Sequence, residues 1–102
     1  MADTTKTMMI RYKTSEARAE ENAALIRAVF DEMRARAPKG IRYVTYRHAD
    51  GVTFVHMATI TNPEKDWINA LPSFKAFQAQ LKERCVEPPV ISELNALESY
   101  GT

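Results

Sequence analysis

Two apolar stripes at helical spacing, separated by two alternating segments that meet at Asp50-Gly51, constrain this chain more than any other feature. Ile26, Val29, Phe30, Met33 and Ala37 recur at i, i+3, i+4, i+7 and i+11, with Leu25 beside them and Glu20, Arg27, Asp31 and Arg34 opposite. That is one face of an amphipathic helix. Thr14 and Ser15 are its candidate N-caps, Glu16 lies in the first turn where the helix dipole favours an acid, and Pro38-Lys39-Gly40 stops it. Phe74, Phe77, Leu81 and Cys85 form the second stripe, with Lys75, Lys82 and Glu83 away from it. Pro72 suits its first turn, where a missing N–H costs nothing, and Pro88-Pro89 ends it.

The remaining segments read as strands. Thr7 to Lys13 is short and β-compatible; Ile41 to His48 and Val52 to Ile60 flank a turn whose Asp-Gly pair tolerates positive φ. A two-residue or a three-residue turn would be compatible, and the choice decides which neighbours Tyr43, Tyr46, Arg47 and His48 accompany. Asn62-Pro63 breaks the third strand, an irregular segment carrying Trp67 leads to Leu71, and Val90 to Tyr100 reads as a long fourth strand. The order is β-α-β-β-α-β. It predicts an α+β, ferredoxin-like two-layer sandwich with a four-stranded antiparallel sheet, one domain over residues 1–102 with a frayed start at 1–6.

Two helices cover one face of such a sheet, so the other face of a monomer should be polar. Both parities are apolar instead: Val52, Phe54, Ala58 and Ile60 against Val55 and Met57, or Met8, Ile10 and Tyr12 against Met9. A second copy packed sheet face to sheet face is the expected cover, which predicts a homodimer. Fourteen basic and thirteen acidic residues leave a net charge of +1, with no electrostatic reason for a nucleic-acid partner. No apolar run reaches a membrane span, the first residues lack a signal-peptide core, and the single cysteine fits a reducing compartment. A cytoplasmic location without membrane contact is expected.

Two familiar uses of this topology are poorly supported. Gly51-Val52-Thr53-Phe54-Val55-His56-Met57 superficially copies an RNA-binding strand, but Val52 and Met57 stand where stacking aromatics are required. Metal delivery wants a Cys-x-x-Cys pair, and the chain has one cysteine, Cys85, expected as a buried inert thiol. Neither a metal nor a dinucleotide motif is visible.

Gly40-Ile41-Arg42-Tyr43, Asp50-Gly51-Val52-Thr53-Phe54-Val55-His56, Leu71-Pro72-Ser73-Phe74 with Phe77, and Arg84-Cys85-Val86-Glu87-Pro88-Pro89 together resemble the dimeric α+β barrel superfamily. Within it, the chain is similar to small proteins grouped with antibiotic-biosynthesis monooxygenases. The resemblance implies a cofactor-independent oxygenase for a small, planar, electron-rich aromatic. It also implies Asn62 and Trp67 as pocket contacts, since related quinone-forming enzymes use an Asn and a Trp there. The haem-degrading relatives need an axial histidine on the second helix, and none lies between Leu71 and Arg84, so no cofactor is expected.

The residues themselves offer His56, whose neighbours in parity, Phe54 and Ala58, are apolar, so that a buried imidazole there needs a partner. His56 is the candidate base or orienter and Tyr46 a second catalytic candidate; Arg47, Tyr46 and Phe54 are candidate substrate contacts, while His48 reads as a solvated turn residue. A non-catalytic dimer that binds an apolar metabolite, or serves as an interaction module, is the alternative.

Overall fold

A computed structural model describes residues 5–61 and 71–101 of the chain. Strand β1 (Thr5–Thr14) leads through a 3-10 turn at Glu16–Arg18 into α1 (Ala19–Arg36). A hairpin of β2 (Ile41–Arg47) and β3 (Thr53–Thr61) follows. Then come α2 (Pro72–Ala79), a single helical turn α3 (Leu81–Arg84) and β4 (Cys85–Leu94). All four strands form one antiparallel sheet in the order β2-β3-β1-β4, and the helices lie on one face. The expected β-α-β-β-α-β sandwich is what the chain forms.

Helix α1 starts later than its candidate caps imply. Thr14 ends β1, and Ser15 precedes the 3-10 turn without a side-chain cap bond. At the other end Ala37 is not part of the buried stripe. It takes a left-handed φ of 46° and its N–H donates to the Met33 carbonyl at 2.8 Å, capping the last turn. Ile26, Val29 and Met33 do face the core, with Ala23, Leu71, Phe74, Phe77, Tyr12 and Phe54. Glu32 fastens α1 to α2: its Oε1 accepts from the Ser73 N–H at 3.0 Å and from the Ser73 hydroxyl at 2.5 Å, and these bonds hold its carboxyl below the usual range.

The hairpin turn is longer than expected. The His48 N–H donates to the Thr53 carbonyl, leaving four residues, Ala49 to Val52, in the loop. Asp50 organises it: one carboxylate oxygen accepts from the Val52 and Thr53 N–H groups, each at 2.9 Å, and the other from the Thr53 hydroxyl at 2.6 Å. That turn sets the register Thr45↔His56 and Arg47↔Phe54, which puts Tyr43, Thr45 and Arg47 on the helix side and Tyr46 on the other.

The C-terminal third departs most from expectation. The second helix breaks at Gln80, and Cys85 belongs to β4 rather than to a helical stripe. Pro88 and Pro89 lie inside β4 instead of stopping a helix, and the strand ends at Leu94, so residues 95–101 carry no regular structure. The prolines are tolerated because β4 is an edge strand and its pairing with β1 shifts register between Arg11 and Lys13, beside them. Partners run from Arg11↔Val90 to Lys13↔Glu87, so two donor-less residues face the single residue Tyr12 across a bulge.

Phe54 is 1% exposed at the centre of this core, stacked on Tyr12 with ring centroids 5.6 Å apart. Phe54→Ala is expected to lower the unfolding free energy by about 3–5 kcal/mol in urea titrations. A loss below about 1 kcal/mol would show that this ring is not central to the core.

Candidate functional site

The middle of β3 places His56 beneath the helices, where it is 3% exposed. Its ring nitrogens are both engaged. Nε2 lies 2.7 Å from the Tyr12 hydroxyl, and Nδ1 lies 3.0 Å from the Tyr43 hydroxyl and 3.2 Å from the Thr45 hydroxyl. Tyr12 comes from β1 and Tyr43 and Thr45 from β2, so the two strands flanking β3 each offer the imidazole a partner. Asn22 of α1, fully buried, reaches the Tyr12 hydroxyl with its amide nitrogen at 2.9 Å. Behind it Arg84, 1% exposed, donates from Nε to the Asn22 amide oxygen at 2.9 Å and from Nη2 to the Phe77 carbonyl at 2.6 Å. The guanidinium also stacks 5.3 Å from the Phe77 ring centroid.

This chain borders a cavity of about 520 Å³ between the sheet and the C-terminal helices. Tyr12, His56, Phe74 and Phe77 form its buried inner wall, with Tyr43, Ile10 and Leu81 half-buried beside them. Gln78, Lys82, Pro88 and Ile91 form an exposed rim. A volume of that size suits a ligand of two or three fused rings, held by apolar walls and oriented by a few polar groups.

Burial dominates the electrostatics. It pushes the His56 imidazole down to about 4, so the ring is neutral near pH 7. The Tyr43 phenol is pushed up to about 12 by burial, and burial moves Tyr12 up as well against the lowering effect of the Asn22 hydrogen bond. Both phenols keep their protons near neutral pH. A neutral, fully engaged imidazole is an orienter rather than a proton acceptor for a ligand.

The candidate residues divide. His56 lies on the cavity wall, and the partner its parity called for is Tyr12. Tyr46 is 55% exposed on the opposite face of the sheet, because the four-residue loop sets its parity, and does not meet His56. Arg47 and Phe54 line a separate open groove between α1 and β2; Arg47 is tied to the Gly51 carbonyl at 2.8 Å and to Glu20 at 2.7 Å. Asn62 and Trp67 lie outside the described residues. Sequence reasoning missed Asn22 and Arg84, polar residues inside apolar helical stripes. Tyr12 and Tyr43 were visible as strand phenols, but not as partners of one histidine.

The titration of His56 has a consequence for stability. Its folded pKa lies below the ordinary 6.5, so the unfolded chain binds this proton first and stability falls as pH drops from 6.5 towards 4. The loss is roughly 3 kcal/mol across that window. Urea titrations at pH 7.5, 6 and 4.5 are expected to show it for the wild type, with a markedly flatter profile for His56→Gln. Equal slopes would mean that His56 titrates normally.

No protein-family model and no curated protein matches the sequence. Solved structures do match in shape. A candidate antibiotic biosynthesis monooxygenase from Nitrosomonas europaea superposes with a TM-score of 0.76 at 14% identity, over 99% of this chain and 98% of that one. Another from Caulobacter crescentus gives 0.73 at 22% identity, over 94% and 92%. SnoaB, a cofactor-independent oxygenase from Streptomyces nogalater, gives 0.68 at 19% identity, over 93% and 95%. With its β-α-β-β-α-β order and four-stranded antiparallel sheet, the chain shares the ferredoxin-like α+β fold of these antibiotic-biosynthesis-monooxygenase-like structures.

Proposed function

We propose that this protein is a cofactor-independent monooxygenase for a small, planar, electron-rich aromatic, acting as a homodimer. The observation that carries the reading is the cavity of about 520 Å³ whose wall combines Phe74 and Phe77 with the Tyr12–His56–Tyr43 cluster. Flat apolar walls hold a fused-ring ligand, and protonated phenols beside a neutral imidazole supply fixed dipoles in a water-poor space. The likeness to SnoaB supports the same chemistry.

In this reading the substrate carries the redox change. An anthrone-like ring carbon loses one hydrogen as a proton to solvent, and the charge spreads onto the ring oxygen. That oxyanion is stabilised by a tyrosine hydroxyl. The anion passes one electron to dioxygen, and the carbon radical and superoxide join in a C–O bond. The peroxide takes up a proton. Loss of the second hydrogen as a proton, with cleavage of the O–O bond, then leaves a carbonyl and one water. His56 orients the phenols and takes no proton.

Oxygen-electrode assays with an anthrone are expected to show saturable uptake of one dioxygen per quinone formed. Tyr43→Phe, which removes a donor to the developing oxyanion, should lower kcat on the order of 10²-fold. Saturable calorimetric binding without oxygen uptake above the spontaneous rate would overturn the enzymatic reading in favour of a non-catalytic binder.

The homodimer rests on the uncovered sheet face. Met9, Val55 and Met57 are half-buried there with no helix over them among the described residues, and Val44, Tyr46 and Val90 are exposed. A second copy covers this face. Light scattering on a size-exclusion peak should give about 23 kDa, twice the 11.6 kDa chain, at micromolar concentration. Val44→Glu should shift the peak towards the monomer. A well-folded wild-type monomer at that concentration would remove the proposal.

A further inference from the structure

The hydrogen-bond chain running from Arg84 to Tyr43 has one direction that leaves none of its fully buried hydrogens unpaired. A guanidinium donates and never accepts, so the Asn22 amide oxygen must face Arg84 Nε at 2.9 Å. The amide nitrogen is thereby turned towards the Tyr12 hydroxyl, 2.9 Å away, and can only donate to it. Tyr12 accepts that bond, and since it is 2% exposed and its hydroxyl has no other acceptor among the described residues, it uses its single hydrogen on His56 Nε2 at 2.7 Å. Nε2 is therefore the unprotonated nitrogen of the neutral ring, and Nδ1 carries the hydrogen. Nδ1–H donates to the Tyr43 hydroxyl at 3.0 Å or the Thr45 hydroxyl at 3.2 Å. The Tyr43 hydrogen is then not used on His56, and among the described residues that hydroxyl has no other partner.

We propose that Arg84 and Asn22 are positioning residues that set the His56 tautomer, leave the Tyr43 hydroxyl as a donor at the cavity, and so select aromatic ligands that present an acceptor oxygen there. Such an oxygen is a ring carbonyl or a phenolate, not a hydroxyl that must itself donate. The selection rests on the cavity's being the ligand site, as proposed above; the tautomer does not. Arg84 sits on α3 and touches no cavity-facing part of His56, so its influence passes through two intervening side chains.

Asn22→Asp reverses the chain with almost no change in shape. The introduced carboxylate accepts from both Arg84 and the Tyr12 hydroxyl, and it supplies the buried guanidinium with a counter-charge. Tyr12 must then accept from His56, which places the ring hydrogen on Nε2, and Tyr43 turns its hydrogen back to Nδ1. Imidazole nitrogen-15 spectra of the ligand-free protein at pH 7.5 are expected to show protonated Nδ1 in the wild type and protonated Nε2 in Asn22→Asp. The wild-type spectrum alone decides the tautomer should the variant fail to fold. Protonated Nε2 in the wild type, or no change in a folded variant, overturns the proposal.

The ligand arm uses anthraquinone and anthracene, which share a ring plan and differ in the acceptor oxygens. Wild type should bind the quinone about tenfold more tightly, the size of one hydrogen bond, and Asn22→Asp should lose that preference. A correct tautomer with equal affinities overturns the selection while leaving the positioning role. Absence of binding by either compound counts against the ligand site itself.

Discussion

Burying a guanidinium is costly unless its donors find acceptors, and the solution for Arg84 organises the protein around it. Its Nη2 bonds the Phe77 carbonyl of α2 and its Nε the Asn22 side chain of α1, while its own carbonyl accepts from the Ser15 N–H at the end of β1. Three elements are joined at one residue. Because arginine only donates, the chain beyond it has a direction: Asn22, Tyr12, His56 and Tyr43 follow in order through α1, β1, β3 and β2. The polar groups below the helices are thus satisfied together, and among the described residues no buried side-chain nitrogen or oxygen lacks a partner.

The cavity owes its shape to an interruption in the sheet. Regular pairing along β4 would keep that strand close under the helices. The bulge at Pro88-Pro89, opposite Tyr12, instead brings proline rings to the cavity rim, and the break between α2 and α3 at Gln80 places Gln78 and Lys82 on the same side. Donor-less residues and a broken helix together leave a gap where a continuous helix over a flat strand would close it. Along and behind the inner wall, the rings of Tyr12, Phe54, His56, Phe74 and Phe77 pack in successive stacked and tilted contacts of 5.3–6.4 Å between ring centroids.

Side-chain alternation assigns the two sheet faces different work. Tyr43 and Tyr46 are three residues apart on one strand, so they point to opposite sides. One joins the buried cluster and the other stands on the face without helices, among Val44, Val55 and Met57. Glu32 on Ser73, and Arg47 bridging Glu20 and the Gly51 carbonyl, hold the helical layer and the hairpin in place around the site.

The order of strands and helices, and the buried centre of each stripe at Ile26, Val29 and Met33 and at Phe74 and Phe77, were legible in the residues, because helical and strand periodicities are local properties of side-chain spacing. So was the need of His56 for a partner, since its apolar neighbours in parity announced burial. The tertiary structure decided the rest. Which of Tyr43 and Tyr46 shares the face of His56 was open until the Asp50 carboxylate closed a four-residue loop, and a difference of one residue in that loop exchanges the faces. Pro88-Pro89 read as a terminator because proline cannot donate, and only an edge position beside a bulge makes it acceptable within a strand. Asn22 and Arg84 are 62 positions apart, each an isolated polar residue in an apolar stripe. Their role exists only where two helices and a strand converge, since the direction of a hydrogen-bond chain belongs to its geometry and not to any one residue.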